Sequence, residues 1–288
     1  MTTSFDIQSD PLVQNTDGDT LANGLPVSAV AETQHLHSGS SFKVLGIAIS
    51  SLSLEEAIRE VASWAVQKGR AKLVTFTNVH MLTEGLRTDE FRQKHSEMDM
   101  NCADGMPLVW LGQVGGENVT RVSGPDFMQA FFARVPGSEI RHYFYGGQTG
   151  LAQQVAEQLL DRYPRLKVAG YCSPPFRALT PDEDAAIVEE INRTNADVVW
   201  VCLGCPKQEI WIHEHRDRLQ ASVLLAVGLA FDILAGTKSR APAALRRVGL
   251  EWLYRLAQEP VRLTSRYVQS NSAFLYALLV NRFFRQWD

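Results

Sequence analysis

Asn101-Cys102-Ala103-Asp104-Gly105-Met106-Pro107-Leu108-Val109-Trp110 reads as the end of a buried strand, a tight turn carrying one carboxylate, and a helix opening at a proline. In an open α/β sheet, an acid just past the carboxyl end of a strand stands at the crevice where such sheets bind ligands. The same residues also suit a simple helix cap, because Asp before Gly and Pro is ordinary turn chemistry. The rest of the chain has to decide between the two readings.

Working outward, strands and helices alternate from Phe42 onward. Phe42–Ile49 is strand-like, and Ser53-Leu54-Glu55-Glu56 is a capping box opening a helix to about Gln67. Leu73–Thr77 is an apolar strand ending at Asn78, one helix is expected from Met81 to about Glu97, and Met98–Cys102 returns as a strand into Asp104. Ser123, with Pro125 in the first turn, starts another helix. The second half repeats the pattern, with strands at His142–Tyr145, Lys167–Cys172, Asp197–Leu203 and Ser222–Val227. Such alternation predicts an α/β fold, Rossmann-like, with a mainly parallel sheet and helices on both faces. Past Gly236 no further strand is expected, only helices punctuated at Pro242, Gly249 and Pro260. The expected organisation is a disordered leader at 1–40, a core at 41–236 and a basic helical appendage at 237–288.

The net charge of -4 conceals an asymmetry, because residues 238–288 hold nine Lys or Arg against three acids. A basic end on an acidic body suggests an anionic partner: phosphate, nucleic acid or a lipid surface. Residues 1–40 hold five acids, no Lys or Arg, and too little apolar surface to offset ordering. Asp17-Gly18-Asp19 within them has the D-x-D form of a metal site but no surrounding structure to fix ligands; Asp182-Glu183-Asp184 is the acidic first turn of a helix. Cys202-Leu203-Gly204-Cys205 lacks the second pair a zinc site needs, and Cys202 lies in an apolar run, so a structural role is expected. His213-Glu214-His215 puts its histidines on different helix faces. With no signal peptide and no span of about 20 apolar residues, a cytoplasmic protein is expected. Ser272–Trp287, aromatic with Arg282 and Arg285, suits either a membrane interface or a packed C-terminal helix.

Polar groups gather at strand ends: Thr77 and Asn78, Asp104, the Gly146–Gly150 loop, Lys207-Gln208-Glu209, and Asp232. Gln208 could read a nucleobase edge, while Lys207 and Glu209 suit helix surface. There is no P-loop, no nucleophile elbow and no G-x-G-x-x-G, which leaves a dinucleotide-dependent oxidoreductase a poor fit. What remains is a candidate base and many arginines without an obvious acidic counterpart; past Arg240 the chain has seven Arg and no Lys. That set suits group transfer from a diphosphate, with a carboxylate accepting the proton of an attacking hydroxyl and guanidiniums neutralising the leaving phosphates. A nucleotide-binding regulator or scaffold without catalysis is the alternative on the same fold.

The motifs in order resemble one family. They are Thr77-Asn78, Ala103-Asp104-Gly105-x-Pro107-x-x-Trp110, Arg121-x-x-Gly124-x-Asp126, Gly204-x-Pro206-Lys207-Gln208-Glu209-x-Trp211-Ile212 and Gly228-x-x-Phe231-Asp232-x-x-Ala235-Gly236. Arg240-Ala241-Pro242 and Glu251-Trp252-Leu253-Tyr254-Arg255-Leu256-x-x-Glu259-Pro260-x-Arg262 complete the series. From about Val44 to Tyr267 the chain resembles the WecG/TagA/CpsF glycosyltransferases, also called glycosyltransferase family 26. The resemblance implies an enzyme on the inner face of the cell membrane, transferring a hexosyl or N-acetylhexosaminyl group (N-acetylmannosamine or glucose) from a UDP-sugar. The acceptor would be a polyprenyl-diphosphate-linked sugar, the reaction inverting and independent of metal or cofactor, and nucleic acid no partner. Members of the family act in common antigen, wall teichoic acid and exopolysaccharide assembly. By the same resemblance Asp104 is the base with Asn78 beside it, and Thr77 and Arg121 belong to the site. Gln208 and Asp232 lie where the family holds the uracil end of its nucleotide. Arg255 and Arg262 would meet the diphosphate. The family's Thr-x-Asn pattern is altered here, Thr77 directly preceding Asn78, and a further arginine is offset, Arg266 following Ser265.

Overall fold

Continuous apolar runs such as Val198–Cys202 and Val223–Ala226 are buried along their whole length, as strands covered on both faces must be. In the computed structural model, which describes residues 40–284 except Pro136, they sit inside one eight-stranded sheet. The strands are β1 (Ser41–Val44), β2 (Ile47–Ser50), β3 (Lys72–Thr77), β4 (Met100–Ala103), β5 (Arg141–Gly146), β6 (Lys167–Cys172), β7 (Val198–Cys202) and β8 (Val223–Ala226), in the spatial order β1-β2-β4-β3-β8-β7-β5-β6. Every pairing is parallel except β1 with β2. The α/β expectation holds, and the strands after the hairpin are joined by helical crossovers, as parallel neighbours require.

The helices between strands are α1 (Leu54–Ala65), α2 (Val79–Arg87), α3 (Asp89–Ser96), α4 (Met106–Val114), α5 (Gly124–Arg134), α6 (Leu151–Arg162), α7 (Pro181–Arg193) and α8 (Lys207–His215). After β8 come α9 (Ala230–Leu234), α10 (Ala243–Arg247), α11 (Glu251–Gln258) and the 25-residue α12 (Pro260–Phe284). One face of the sheet packs Val61 of α1, Phe127 and Phe131 of α5, Val155 of α6 and Phe231 of α9 around Trp200. The other packs Ile191 of α7 with Trp211 and Ile212 of α8. A third cluster joins the hairpin and α4 to Leu82 of α2 and Phe274 of α12.

Two expectations are corrected. Phe42–Ile49 is a hairpin rather than one strand, turning at Leu45-Gly46, where both residues have positive φ. Paired primed-turn geometry of this kind matches the twist of the flanking strands. The single helix expected from Met81 to Glu97 is two, parted at an extended Thr88 with Asp89 and Glu90 opening the second. The three stops predicted past Gly236 do separate α10, α11 and α12. The leader, its Asp17-Gly18-Asp19, and Arg285–Trp287 lie outside the described residues.

Candidate active site

The chain leaves β8 into α9 on one face and β3 toward α2 and α3 on the other, where α3 meets α8. β3 and β8 are neighbours, so a crevice opens between them beyond their carboxyl ends. Asn78 follows β3, Asp104 follows β4, Gln208 lies just past β7 and Asp232 just past β8. Four adjacent strands in the order β4-β3-β8-β7 therefore carry four of the predicted site residues along one edge.

Asp104 is held by its backbone. Its N–H donates to the Thr77 carbonyl at 2.8 Å, and Val122 N–H to the Ala103 carbonyl at 2.9 Å. Gly105 then turns at a φ of 133°, a value that favours glycine. The cap of α4 is Gly105, with no side-chain hydrogen bond, so the Asp104 carboxylate is not spent on capping. Asn78 does the capping instead, its Oδ1 accepting from Met81 N–H at 3.2 Å to start α2. Its amide nitrogen has no hydrogen bond among the described residues.

The Asp104 side chain keeps 26% of its surface open, and Arg121 Nη1 stands 3.7 Å from Oδ1. Burial pushes the carboxyl up to about 7; Arg121 opposes, Glu251 and Asp126 add to the rise, and Arg255 opposes. A carboxylate poised there can take up a proton at neutral pH.

Arg121 has two acidic partners. It donates to Asp126 Oδ2 at 2.7 Å and to Glu251 Oε2 at 3.2 Å. Asp126 also meets Arg240 and, at 3.3 Å, Arg246 Nη1, while Ser123 Oγ donates to it at 2.6 Å. One acid thus gathers guanidiniums from the α4–α5 loop and from the segment past Gly236. Despite burial, those arginines and Ser123 hold its carboxyl below the usual range.

Burial raises the Tyr267 phenol, against which the charges of Arg255, Arg266 and Arg262 act while Glu251 adds to the rise. Arg255 and Arg266 are half-buried and have no ion pair among the described residues; Arg262 is exposed and pairs with Glu259. Arg266 also acts on His80 of α2, whose imidazole burial pushes below its ordinary value with the guanidinium adding to the drop. His80 and Tyr267 are not legible as site residues in the sequence. They emerge because α12 packs across α2.

Other predicted residues are placed differently. The Thr77 hydroxyl is buried, 2.9 Å from His95 Nε2 and 3.2 Å from Thr75 Oγ1, so it faces an internal network rather than the crevice. Burial lowers His95 to about 4, keeping it neutral. The Gln208 amide is fully used: Oε1 accepts from Gly204 N–H and Gly228 N–H, both at 3.1 Å, and Nε2 donates to Glu209 Oε1 at 2.7 Å and the Ala226 carbonyl at 3.3 Å. It ties the β7–α8 turn to the β8–α9 turn and has no valence left for a base edge. Glu209 is not helix surface but wholly buried, its Oε2 without a partner, and burial pushes it up to about 7. Asp232 is half-buried, its carbonyl and carboxylate both accepting from Thr237 Oγ1 at 3.1 and 3.4 Å.

No cluster of three His, Cys, Asp or Glu among the described residues is close enough to hold a metal ion. His213 pairs with Glu97 at 2.7 Å and His215 with Asp184 at 3.0 Å, on separate neighbours. The four cysteines are free, and burial raises the Cys202 thiol to about 12.

Residues 42–288 match the model described as the Glycosyl transferase WecG/TagA/CpsF family. The chain belongs to that family. This glycosyltransferase is 25% identical over 198 residues, 68% of its length and 75% of the relative's, to an N-acetylglucosaminyldiphosphoundecaprenol N-acetyl-beta-D-mannosaminyltransferase of Bacillus spizizenii. It is 26% identical over 191 residues, 66% of its length and 73% of the relative's, to a protein of the same name from Bacillus subtilis.

Proposed function

We propose that this glycosyltransferase moves a hexosyl or N-acetylhexosaminyl group from a UDP-sugar to a polyprenyl-diphosphate-linked sugar, inverting the anomeric centre without a metal. The observation that carries the reading is Asp104: a carboxylate at the switch-point crevice, free of capping duty and raised to about 7. Asp104 accepts the acceptor hydroxyl's proton as that oxygen attacks the anomeric carbon, and the bond to the donor's diphosphate breaks on the opposite face. Arg255 and Arg266, without acidic partners, and Arg262 beside them supply positive charge to the phosphates. Asn78 offers its free amide N–H groups to the reacting hydroxyls. Thr77 serves through its carbonyl, which fixes the Asp104 backbone. Asp232 is assigned to the nucleotide.

Both relatives are named for transfer of N-acetylmannosamine to an undecaprenol-diphosphate sugar, which supports that donor ahead of glucose and a lipid-diphosphate acceptor. A place in bacterial cell-surface polysaccharide assembly, on the cytoplasmic face of the membrane, follows from that acceptor. The segment 237–288, basic and with apolar side chains exposed at Val248, Trp252 and Leu253, is assigned to the membrane surface and to closure over the crevice; no helix among the described residues is long and apolar enough to cross a membrane.

The test is a panel of UDP-sugars against polyprenyl-diphosphate acceptors bearing N-acetylglucosamine or glucose, with chelator present and products read by mass spectrometry and anomeric NMR. The expected outcome is one disaccharide lipid formed with inversion. Retention at the anomeric carbon, or loss of turnover on chelation, would overturn the mechanism.

A further inference from the structure

Arg121 stands between two carboxylates and bonds to one of them. A single atom, Nη1, donates to Glu251 Oε2 at 3.2 Å and lies 3.7 Å from Asp104 Oδ1. The first distance is a hydrogen bond and the second is not. The other terminal nitrogen, Nη2, is taken by Asp126 Oδ2 at 2.7 Å. The cation nearest the candidate base is thus held away from it by two acids. One of these, Glu251, opens α11 and reaches the site from the C-terminal segment. Arg121, Asp104 and Glu251 each keep only about a quarter or less of the side chain open to water, so their charges are screened only in part.

The surroundings of Asp104 single out Glu251. That carboxylate is faced by Arg121 from the α4–α5 loop, Asp126 of α5, Glu251 and Arg255 of α11, and Cys102 of β4, whose thiol burial keeps protonated. Asp126 spreads its charge over Arg121, Arg240 and Arg246. Glu251 pairs with Arg121 alone among the described residues. Arg255 follows Glu251 by four positions, on the same face of α11. Burial is the first cause of the raised Asp104 carboxyl; Glu251 adds more to the rise than Asp126 does, and more than Arg255 takes away.

We infer that Glu251 is the positioning residue that sets the strength of the base. Docked on Arg121, it holds the guanidinium off Asp104 and turns a second negative charge toward it. Asp104 therefore reaches its reactive state with α11 in place. This inference rests on Asp104 as the base and adds what tunes it. Without the Glu251 charge, Arg121 is free to close the gap to Asp104. A carboxylate clamped by a guanidinium ionises at lower pH and accepts a proton less readily.

The experiment follows kcat/KM against pH with a short-chain soluble acceptor, and titrates the aspartate carboxyls by NMR in protein carrying carboxyl-labelled aspartate. Wild type, Glu251→Gln and Glu251→Asp are compared, with Asp104→Asn supplying the assignment and melting temperatures confirming the fold. In Glu251→Gln the Asp104 resonance and the acidic limb of kcat/KM should both move lower by about one pH unit or more. The plateau of kcat/KM should fall roughly 3- to 10-fold, as expected of a weaker base. Glu251→Asp keeps the charge and should lie between the two. The NMR titration needs no turnover, so an inactive variant still gives an answer. An Asp104 resonance that titrates as in wild type, with turnover reduced equally at every pH, would make Glu251 a mere anchor of α11 and overturn the inference. Movement of the resonance without movement of the limb would uphold the tuning by Glu251 and overturn Asp104 as the base.

Discussion

At Asp104, the same burial that makes a base of the carboxylate makes it a burden on the fold. Its native value near 7 lies above that of an unfolded aspartate. The native state therefore keeps a proton that the unfolded chain loses between about pH 4 and 7, and stability falls as pH rises through that window. Glu209, also near 7, contributes in the same direction. Asp104→Asn keeps the shape and removes the charge. We expect it to lose about 100-fold or more in turnover, yet to be more stable than wild type by roughly 1–2 kcal/mol at pH 8. Below about pH 4, where both states hold the proton, the two proteins should melt together. Wild-type kcat/KM should rise with pH through about 7. Equal turnover in a folded Asp104→Asn protein would remove Asp104 from the chemistry. The sequence singles out this residue because its signal is local: an acid, a glycine and a helix start in line. It does not show that Gln208 and Thr77 bond inward, because which way a side chain faces depends on strands distant in sequence. Gln208 bonds to Gly228, twenty positions on, and Thr77 to His95, eighteen on.

Among the elements, the sheet was largely legible from buried apolar runs and the last helices from Pro242, Gly249 and Pro260. The hairpin at Leu45-Gly46 and the break at Thr88 were not, since a two-residue turn inside an apolar stretch hardly disturbs its pattern. Least legible was the join between α5 and the elements past Gly236. Asp126 is visible in sequence only as an acid in a first helical turn, yet it draws in Arg121, Arg240 and Arg246. Removing one member of such a buried set leaves like charges facing each other. Asp126→Ala should therefore cost roughly 3 kcal/mol. Cleavage by protease should increase first between Gly236 and Pro260. Turnover should fall more than donor affinity, because Glu251 and Arg255 lose their place beside Asp104. If proteolysis instead starts in the sheet, the acid supports the core and not the join.

Across the whole molecule, charge and apolar surface gather at the same end. The basic segment past residue 237 exposes Val248, Leu250, Trp252 and Leu253, and Gly249 packs on Met106 and Trp110, bringing the exposed Trp110 of α4 beside them. A Cβ at Gly249 would lie 2.8 Å from Met106 Cγ, so that approach depends on glycine. An apolar patch on a segment of net positive charge suits a surface rich in anionic lipid, where each nearby cation adds about 1 kcal/mol. Trp252, 42% exposed beside Trp110 at 51%, also leans its ring on Tyr267 at 5.9 Å, so replacing it would disturb the site as well as the patch. Leu253, 46% exposed, has no ring contact and separates docking from site geometry more cleanly. Leu253→Glu should fold normally and reduce binding to vesicles containing phosphatidylglycerol by roughly tenfold, since it trades buried apolar area for a repelled charge. Turnover of a membrane-embedded acceptor should fall in proportion, whereas turnover of a short-chain soluble acceptor should not change. Vesicle binding equal to wild type would remove this patch from any membrane docking. A loss with the soluble acceptor as well would mean that α11 acts through the arginines around Tyr267 rather than through the lipid.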